Sequence, residues 1–540
     1  MSKVIELPRG KRKPLYRFFE ILPLGLSVSM IALLVILSAI SSTLGAIYLL
    51  LIVIMNLVKA VGIIVRTVQG YKTMKAGMRV DWEGRLVDLK NPEQSLERLS
   101  GEEKDEYDSI QHLHNLRRIV EMPKEKRFDV DSVWNAVIVT MYNESIDVLR
   151  PTLESVLDVD FDSKKMIVMV AYEERGGEEA EKVAKTLEKE FGKKFGAFLL
   201  SKHPDGVAGE VIGKGANLTF AGRKLETFVA EKGINPENVI VTSLDCDNKP
   251  SKCYFSQVAY EFCVHENRQH LSFQPISLFT NNIWDAPAVS RVVGSLNSFW
   301  NLICTMRPHI LRNFASHSQP LKALIGMDFW SVRTIVEDGH QYWRSLFYFD
   351  GDYEVIPIRA AIYQDAVLSD TMLKTLKAQW VQLRRWDYGA SDVAYVATYM
   401  LSKKRKISLS SLVPKFVRLL DGHVTLAAMA PIIAFGGWVP LLFNIESRDL
   451  LSYNLPSIVS KIQMIAACGL CVSILVSLKM LPPRPAKYKK SKNIMMVLQW
   501  IISPVTSITY SSFCAFYAQW RLASGNYMEK FDVTEKVVKK

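Results

Sequence analysis

The sequence predicts an α/β domain with a largely parallel central sheet, joined to an α-helical transmembrane bundle. Two observations lead to this prediction. Apolar residues make up 49% of the 540 residues, yet the charged fraction of 23% is ordinary, so the apolar residues must be concentrated in blocks. In the longest stretch between these blocks, short β-branched runs alternate with amphipathic helical segments, which is the pattern of β-α-β units.

The first apolar block covers residues 18–66 and is almost free of charge. A helix needs about 20 apolar residues to cross the hydrocarbon core of a bilayer, so this block predicts two transmembrane helices. It is too long for a signal peptide, and no cleavage-site pattern follows it. Residues 422–519 hold further apolar runs and predict about three more transmembrane helices, near 424–443, 462–481 and 494–516.

The formal net charge of +12 is concentrated beside these blocks. Residues 1–17 are basic with a single acid, Glu6, and the loop 482–493 is basic with no acid. By the positive-inside rule both segments are predicted to be cytosolic, together with the region 67–420. Because cations beside a span attract anionic headgroups, membrane lipids rather than nucleic acid are the expected partner.

A basic run at 403–406 precedes a stretch with apolar residues at helical spacing, which suits a helix lying in the membrane interface. The full predicted order is a basic cytosolic N-terminus (1–17), two transmembrane helices (18–66), a cytosolic connector (67–133), the α/β domain (134–400), an interfacial amphipathic helix (401–421), about three transmembrane helices (422–519) and a C-terminal tail (520–540).

Within the α/β domain the pattern predicts strands at 136–140, 166–171, 198–200 and 239–244, with helices at 178–191 and 216–231. Ligands of such sheets bind beyond the carboxyl ends of the strands. Polar turns follow three of the four predicted strands, at 142–144, 173–175 and 245–247.

Asp245 and Asp247 follow the fourth predicted strand, two residues apart. Carboxylates at this spacing can share Mg²⁺ or Mn²⁺, with phosphates supplying further oxygen ligands. The alternative is a plain polar turn closed by Pro250, since Asp and Asn favour turns. A calcium loop is disfavoured because Lys249 and Pro250 occupy positions where that loop needs an oxygen ligand and a glycine.

Three more segments carry chemistry, each with an ordinary structural alternative. The sequence G-K-G-A-N at 213–217 opens a helix and lets a phosphate approach the backbone, although it also suits a simple helix start and is not a P-loop. Asp338 lies in a polar turn and suits either a general base or a surface turn. Gln382, Arg385 and Trp386 share one helical face, which suits diphosphate binding or core packing.

Taken in order, these segments resemble the membrane-bound family 2 glycosyltransferases, the group that includes cellulose, chitin and hyaluronan synthases. The resemblance runs from about Asn135 to Trp386. It rests on six segments: T-M-Y-N-E-S at 140–145, E-E-R at 173–175, G-K-G-A-N at 213–217, D-C-D at 245–247, V-E-D at 336–338 and Q-L-R-R-W at 382–386. In addition, F-D-V-T-E-K at 531–536 is similar to the tail of related synthases.

The resemblance implies a GT-A fold, inversion at the anomeric carbon, and Mg²⁺ or Mn²⁺ held by Asp245 and Asp247. It implies that Asp338 is the catalytic base, and that the glycan or lipid acceptor and the diphosphate are framed by Gln382, Arg385 and Trp386. The residues implied to bind the nucleotide-sugar donor are Tyr142, Glu144, Glu173, Glu174, Lys214, Asn217 and Asp245. The family commonly has an Asp pair where this chain has Glu173 and Glu174, so which glutamate contacts the donor stays open.

The expected function is inverting transfer of a sugar, with a UDP-sugar as the expected donor, most simply in polysaccharide synthesis by an integral protein of the plasma membrane. A single transfer to a polyprenyl phosphate or a glycolipid is the alternative, and a non-catalytic membrane scaffold is a remote one. A transporter is disfavoured because no predicted span pairs acids with bases. An odd number of spans would put the C-terminal tail opposite the catalytic domain, and the sequence leaves that question open.

Overall fold

The structure, a computed structural model, describes residues 6–101, 107–443 and 450–530, apart from the side chains of Ala467 and Cys468. The predicted tail motif at 531–536 lies outside these residues. The strands are β1 Trp134–Met141, β2 Met166–Glu173, β3 Ala197–His203, β4 Val239–Asp245, β5 Lys249–Pro250, β6 Leu271–Leu278, β7 Ser318–Pro320 and β8 Glu354–Tyr363.

The α-helices are α1 Pro14–Ile40, α2 Ser42–Gly77, α3 Trp82–Lys90, α4 Pro92–Ser100, α5 Ser109–Glu121, α6 Ile146–Leu157, α7 Gly177–Phe191, α8 Lys214–Glu231, α9 Tyr254–Val264, α10 Ala288–Thr305, α11 Leu321–Gly326, α12 Glu337–Tyr348, α13 Met372–Asp387, α14 Asp392–Met400, α15 Leu409–Phe435, α16 Val439–Leu442, α17 Leu450–Met480, α18 Ser491–Leu498, α19 Ser503–Thr506 and α20 Phe513–Ser524.

The strands form one mixed sheet in the order β3-β2-β1-β4-β7-β6-β8-β5. Strands β3, β2, β1 and β4 pair in parallel, as do β6 and β8. Strand β7 is antiparallel to both of its neighbours, and β5 is antiparallel to β8. The prediction of parallel strands therefore holds for the first four, whereas the other half of the sheet is mixed.

The alternation of side chains along β1 explains why both faces of the sheet are covered. Val137 and Val139 face a core formed with α6, α7, α9 and the connector helix α3. Ala136 and Ile138 face a second core, formed with α8 and α11. With both faces packed in this way, ligands have access at the carboxyl ends of the strands.

Within the residues that the structure describes, five helical segments are long and apolar enough, by length and composition, to span a membrane. They are Pro14–Ile40, Ser42–Gly77, Leu409–Leu442, Leu450–Met480 and Ser491–Ser524. Of the stretch 401–421 predicted as an interfacial helix, residues 409–421 form the first part of α15, which continues to Phe435, whereas residues 401–408 are not helical. In that first part Leu412 and Phe416 pack into a core of the α/β domain.

The last of these segments, Ser491–Ser524, is attached to the α/β domain at both of its ends. Before it, the Trp284 indole donates to the carbonyl oxygen of Pro482 at 3.0 Å. After it, Met528 N–H donates to the Tyr388 hydroxyl at 3.2 Å, and Lys530 forms a parallel bridge with Ile212. Between its ends the segment is broken by 3₁₀ and π turns, so it is not one straight helix.

Candidate active site

The carboxyl ends of β1, β2 and β4 lie side by side. Thr140 is paired in register with Asp245, and Met141 with Tyr172, so the turns that follow these strands open onto one edge of the sheet. The structure places two separate groups of polar side chains along this edge.

The first group, the local cluster, consists of Tyr142, Glu144, Glu173 and Arg175 from a single β-α-β unit. The Arg175 guanidinium lies 4.1 Å from the centroid of the Tyr142 ring and donates to both carboxylate oxygens of Glu173, with Nη2 at 3.0 Å from Oε1. Glu144 Oε2 accepts the Tyr142 N–H at 2.7 Å. A Cβ at Gly176 would lie 2.1 Å from the Tyr142 carbonyl oxygen, so this close approach requires glycine.

The two candidate glutamates are separated by this arrangement. Glu173 is buried against Arg175, whereas Glu174 is half exposed, lies 3.5 Å from the Lys202 ammonium and accepts the Asp205 N–H at 3.2 Å. Arg175 was part of the quoted motif but was not a predicted site residue. Arg175 lies between the Tyr142 ring and the Glu173 carboxylate and holds these two side chains together, whereas Glu174 has other partners.

The second group, the assembled cluster, consists of Lys214, Asp245 and Glu337, which come from three different parts of the domain. Lys214, the first residue of α8, is 9% exposed, and its Nζ lies 2.7 Å from Asp245 Oδ1 and 3.9 Å from Glu337 Oε1. Burial lowers the pKa of Lys214, but the carboxylates of Asp245, Glu337 and Asp338 outweigh it and raise that pKa. The ammonium therefore stays charged inside the site.

Glu337 is buried at the start of α12 and was not among the predicted site residues. Burial, followed by the charge of Asp338, raises the pKa of Glu337 to about 7, while Lys214 and Arg385 oppose the shift. A Cβ at Gly215 would lie 2.5 Å from the Ser331 carbonyl oxygen and 3.0 Å from Glu337 Cβ, so glycine allows α8 to approach this segment. The only sequence signal for Glu337 was its place next to Asp338.

Asp338 is the second residue of α12 and is less buried than Glu337. Its Oδ1 accepts the Gly339 N–H at 2.8 Å. Arg385 on α13 is near enough to act electrostatically on Glu337, so α13 brings a cation to the same place. The predicted base, the predicted lysine and the predicted arginine thus share one site.

Asp247 and Asp245 differ in their surroundings. Asp247 is buried, and its Oδ2 accepts the Asp365 N–H at 3.0 Å, whereas Asp245 Oδ1 faces Lys214. Carboxylate oxygens suit Mg²⁺ or Mn²⁺. In the described part of the chain no group of three or more His, Cys, Asp or Glu side chains is placed to hold a metal ion.

The other predicted residues make mainly packing contacts. Asn217 Nδ2 donates to the Ala171 carbonyl oxygen at 2.9 Å and ties α8 to β2. Gln382 accepts from Gln379 at 3.3 Å, and the Trp386 ring lies 5.9 Å from that of Phe279. Gln382 and Trp386 line one crevice together with Phe279 and Gln379.

Residues 6–9, here called the N-terminal strap, lie on the α/β domain rather than forming only a basic flank. Glu6 Oε1 lies 2.7 Å from Arg344 Nη2, and its Oε2 accepts from the Ser331 hydroxyl at 3.1 Å. Arg344 is almost fully buried on α12, two turns from Glu337. Because a buried guanidinium needs a partner, the strap stabilises the helix that carries Glu337 and Asp338.

The loop 204–213, which leads into Lys214, is contacted by two segments that are far from it in sequence, one near residue 9 and one near residue 530. Arg9 of the strap donates to the Glu210 carbonyl oxygen at 3.0 Å. On the other side Ile212 forms its bridge with Lys530. Neither contact has a local signature in the sequence, and both were missed.

No protein-family model matches the sequence, and no curated protein matches it. Solved structures that match at low identity include the mannosyltransferase PcManGT from Pyrobaculum calidifontis in complex with GDP-Man and Mn²⁺, at 13% identity and a TM-score of 0.39, over 74% of this chain and 98% of that one. They also include TarS 1-349 from S. aureus with UDP-GlcNAc, at 11% identity and a TM-score of 0.33, over 73% and 92% of the two chains.

A third match is GalNAc-T7 with UDP, GalNAc and Mn²⁺, at 10% identity and a TM-score of 0.31, over 56% of this chain and 58% of that one. All three TM-scores lie below 0.5, so these similarities do not assign a function to this chain.

Proposed function

We propose that the protein is an inverting glycosyltransferase that moves a sugar from a nucleotide-sugar donor, expected to be a UDP-sugar, to a glycan or lipid acceptor at the cytosolic face of a membrane. The observation that carries this proposal is the assembled cluster, where Lys214, Asp245 and Glu337 meet beside Asp338 and Arg385. Cations fixed next to carboxylates suit a reaction whose leaving group is a diphosphate.

The local cluster is the proposed site for the nucleoside of the donor. The Tyr142 ring offers an aromatic face for a base, and the Glu173 and Glu174 carboxylates offer acceptors for ribose hydroxyl groups. Arg175 fixes the ring and Glu173 relative to each other before the donor arrives. Such preorganisation reduces the entropy lost on binding.

The assembled cluster is the proposed site for the diphosphate. Lys214 is charged, buried and held in place by Asp245. Its charge is therefore already oriented when the donor binds, whereas water molecules would have to reorient to stabilise the same diphosphate charge. Arg385 approaches from α13 and adds a second positive charge. Mg²⁺ or Mn²⁺ bound by Asp245 and Asp247 would neutralise charge on the diphosphate.

Asp338 is the proposed general base. It follows Glu337 on the same helix and is more accessible, so it is the carboxylate that can reach an acceptor hydroxyl. As the acceptor oxygen bonds to the anomeric carbon, the bond to the diphosphate breaks and the hydroxyl proton passes to Asp338. A single displacement of this kind inverts the configuration.

The membrane placement is proposed from the helices and from the ends of the last segment. Because Ser491–Ser524 begins and ends on the α/β domain, it does not connect opposite sides of a membrane. If α1, α2, α15 and α17 cross, Glu6 and Lys530 lie on the same side as the domain. The basic flanks make that side the cytosolic side, and we propose the plasma membrane as the location.

The test uses the full chain in detergent, incubated with a panel of nucleotide sugars and either Mg²⁺ or Mn²⁺. We expect one sugar nucleotide to release its nucleoside diphosphate. Asp338→Asn serves as the inactive variant and Asp328→Asn, an exposed aspartate paired with Arg223, as the matched control. Absence of release from every donor with both metals would remove the proposal. The length of the product then distinguishes polysaccharide synthesis, which we propose and which gives long chains, from a single transfer, which adds one sugar.

A further inference from the structure

A second group of cations lies where α2, α15 and the turn after α10 meet. This basic junction comprises Arg66 on α2, Arg307 and His309 in the turn, and Lys415 and Arg418 on α15. None of them belongs to the assembled cluster or to the local cluster. The group joins three parts of the chain that are far apart in sequence.

The ion pair between Lys59 on α2 and Asp421 on α15 shows which residues of the two helices lie at the same height along their axes. Lys59 Nζ lies 3.4 Å from Asp421 Oδ2. Towards the α/β domain, Arg66 follows Lys59 by about two turns and rises about 10 Å, while Lys415 precedes Asp421 on α15 and lies about 9 Å away along its helix. Arg66, Lys415 and the intervening Arg418 therefore occupy one layer.

The end of α10 and the turn after it pack against α2 beside these cations. A Cβ at Gly70, one turn after Arg66, would lie only 2.5 Å from the Leu302 carbonyl oxygen, so α2 and α10 are in close contact. Thr73 donates to the Met306 sulfur at 3.6 Å, and Arg307 follows Met306 directly. Just beyond it, Leu311 packs in the same apolar core as Leu412 and Phe416 of α15.

No acid within the described ranges is paired with the junction. Among the described residues, none of the five side chains makes an ion pair or a side-chain hydrogen bond, and Asp421 is already paired with Lys59. Burial and the charges of Arg66 and Arg418 lower the pKa of Arg307. Burial and four surrounding cations likewise lower the pKa of His309. Cations gathered without an acid suit an anionic ligand.

The surface beside the junction is apolar. On α2, Val58, Val61 and Val65 are more than half or about half exposed, at 68%, 52% and 50%, and on α15 Val417 is 55% exposed. On α2 these valines precede Arg66, and on α15 Val417 lies between Lys415 and Arg418, in helical segments that are apolar enough to span a membrane. A ligand for this surface therefore has an anionic head and an apolar body.

We propose that the basic junction binds the phosphate of an anionic phospholipid headgroup, with its acyl chains along α2 and α15. A free phosphate would use the same cations but leave the apolar surface uncovered. The proposal goes beyond sugar transfer and does not depend on it, because none of the five residues lies in either cluster. Phospholipid bound here would fix the end of α2 against α10 and α15.

The experiment measures binding of short-chain phosphatidylglycerol to the full chain in detergent by native mass spectrometry. The test variant is Arg66→Gln/Arg307→Gln/Arg418→Gln. Each cation near the headgroup contributes about a fivefold factor, so we expect affinity to fall about 100-fold. The matched control, Arg484→Gln/Lys489→Gln/Lys490→Gln, removes three cations from the other basic loop. It should lose much less affinity than the test variant, because those cations lie along one loop and are not gathered from three parts of the chain.

Equal affinity in the wild type and the test variant, or equal loss in both variants, overturns the proposal. Displacement of the lipid by equimolar inorganic phosphate also overturns it, because the acyl chains would then contribute nothing. If the triple variant does not fold, Arg307→Gln alone replaces it, with an expected loss of about fivefold. Thermal unfolding of each variant without lipid verifies that the fold is kept.

Discussion

The local cluster and the assembled cluster lie on the same edge of the sheet and differ in how the chain brings them together. In the local cluster, Glu173 and Arg175 are two residues apart, and Tyr142 comes from the neighbouring strand of the same β-α-β unit. In the assembled cluster, Lys214, Asp245 and Glu337 come from α8, from the end of β4 and from α12.

This difference predicts different sensitivities. The local cluster needs only its own strands and one glycine for its geometry. The assembled cluster depends on the mixed half of the sheet, on the N-terminal strap and on the loop 204–213. Changes in the assembled cluster should therefore affect both chemistry and folding, whereas changes in the local cluster should affect donor binding alone.

The largest effect is expected from Asp338→Asn. Removing a general base lowers the rate by about 1,000-fold, while the amide keeps the shape and the acceptor atom that binds Gly339 N–H. We expect kcat to fall to that extent with donor affinity within a factor of two, measured by titration calorimetry. Unchanged turnover would remove Asp338 from the base role.

Lys214→Met should affect both stability and donor binding. The substitution leaves Asp245 and the buried Glu337 without their cation, so we expect about 100-fold weaker catalysis and a clearly lower thermal unfolding midpoint. Lys224→Met, at an exposed lysine on the same helix, is the control. If both variants unfold at the wild-type temperature, the assembled cluster does not contribute to folding, and the proposed difference between the two clusters is wrong.

Asp247→Ala should weaken donor binding at least tenfold when Mg²⁺ or Mn²⁺ is present and have little effect when a chelator is present. Asp247→Asn keeps an acceptor for the Asp365 N–H and separates the loss of charge from the loss of that hydrogen bond. Donor affinity measured with and without metal tests the assignment. Wild-type affinity that does not change with metal would contradict it.

Arg175→Lys tests the local cluster. Lysine keeps the charge but loses the two-pronged contact with Glu173 and the planar contact with Tyr142, so we expect KM for the donor to rise about fivefold. Neither kcat nor the unfolding midpoint should change. A fall in kcat as large as that of Lys214→Met would erase the distinction between the clusters.

The smallest effect concerns His112, which lies outside both clusters. Its Nδ1 lies 2.8 Å from the Tyr260 hydroxyl, and burial lowers the pKa of His112 to about 4. Since the unfolded chain has the higher pKa, stability present above about pH 6.5 is lost as the pH falls towards 4. His112→Gln should reduce by a few degrees the drop in unfolding midpoint between pH 7 and pH 5, without changing activity.

The first four strands were predictable because β-branched runs ended in polar turns, and the structure places β1 to β4 within a few residues of the expected positions. Strands β6 and β8 were not predicted, because Pro275 and Pro357 interrupt their pattern, and the β6–β8 register shifts at Pro275. Strand β7 is only three residues long and carries no β-branched residue.

The candidate site shows the same limit. Lys214, Asp245 and Asp338 were identifiable by residue type and by their place after a strand or before a helix. Glu337 was not, because a glutamate in a turn is ordinary until Lys214 is known to lie 3.9 Å from it. The partnership of Glu6 with Arg344 had no sequence signal, since long-range ion pairs have no local pattern.

The contacts on the loop 204–213 also bear on how the protein is made. Arg9, which holds Glu210, leaves the ribosome long before the loop does, whereas Lys530, which pairs with Ile212, leaves long after it. During synthesis the loop next to Lys214 therefore lacks one of its two supports until Lys530 has been translated. The surroundings of Lys214 in a nascent chain are completed only after the helix that ends at Ser524 has been made.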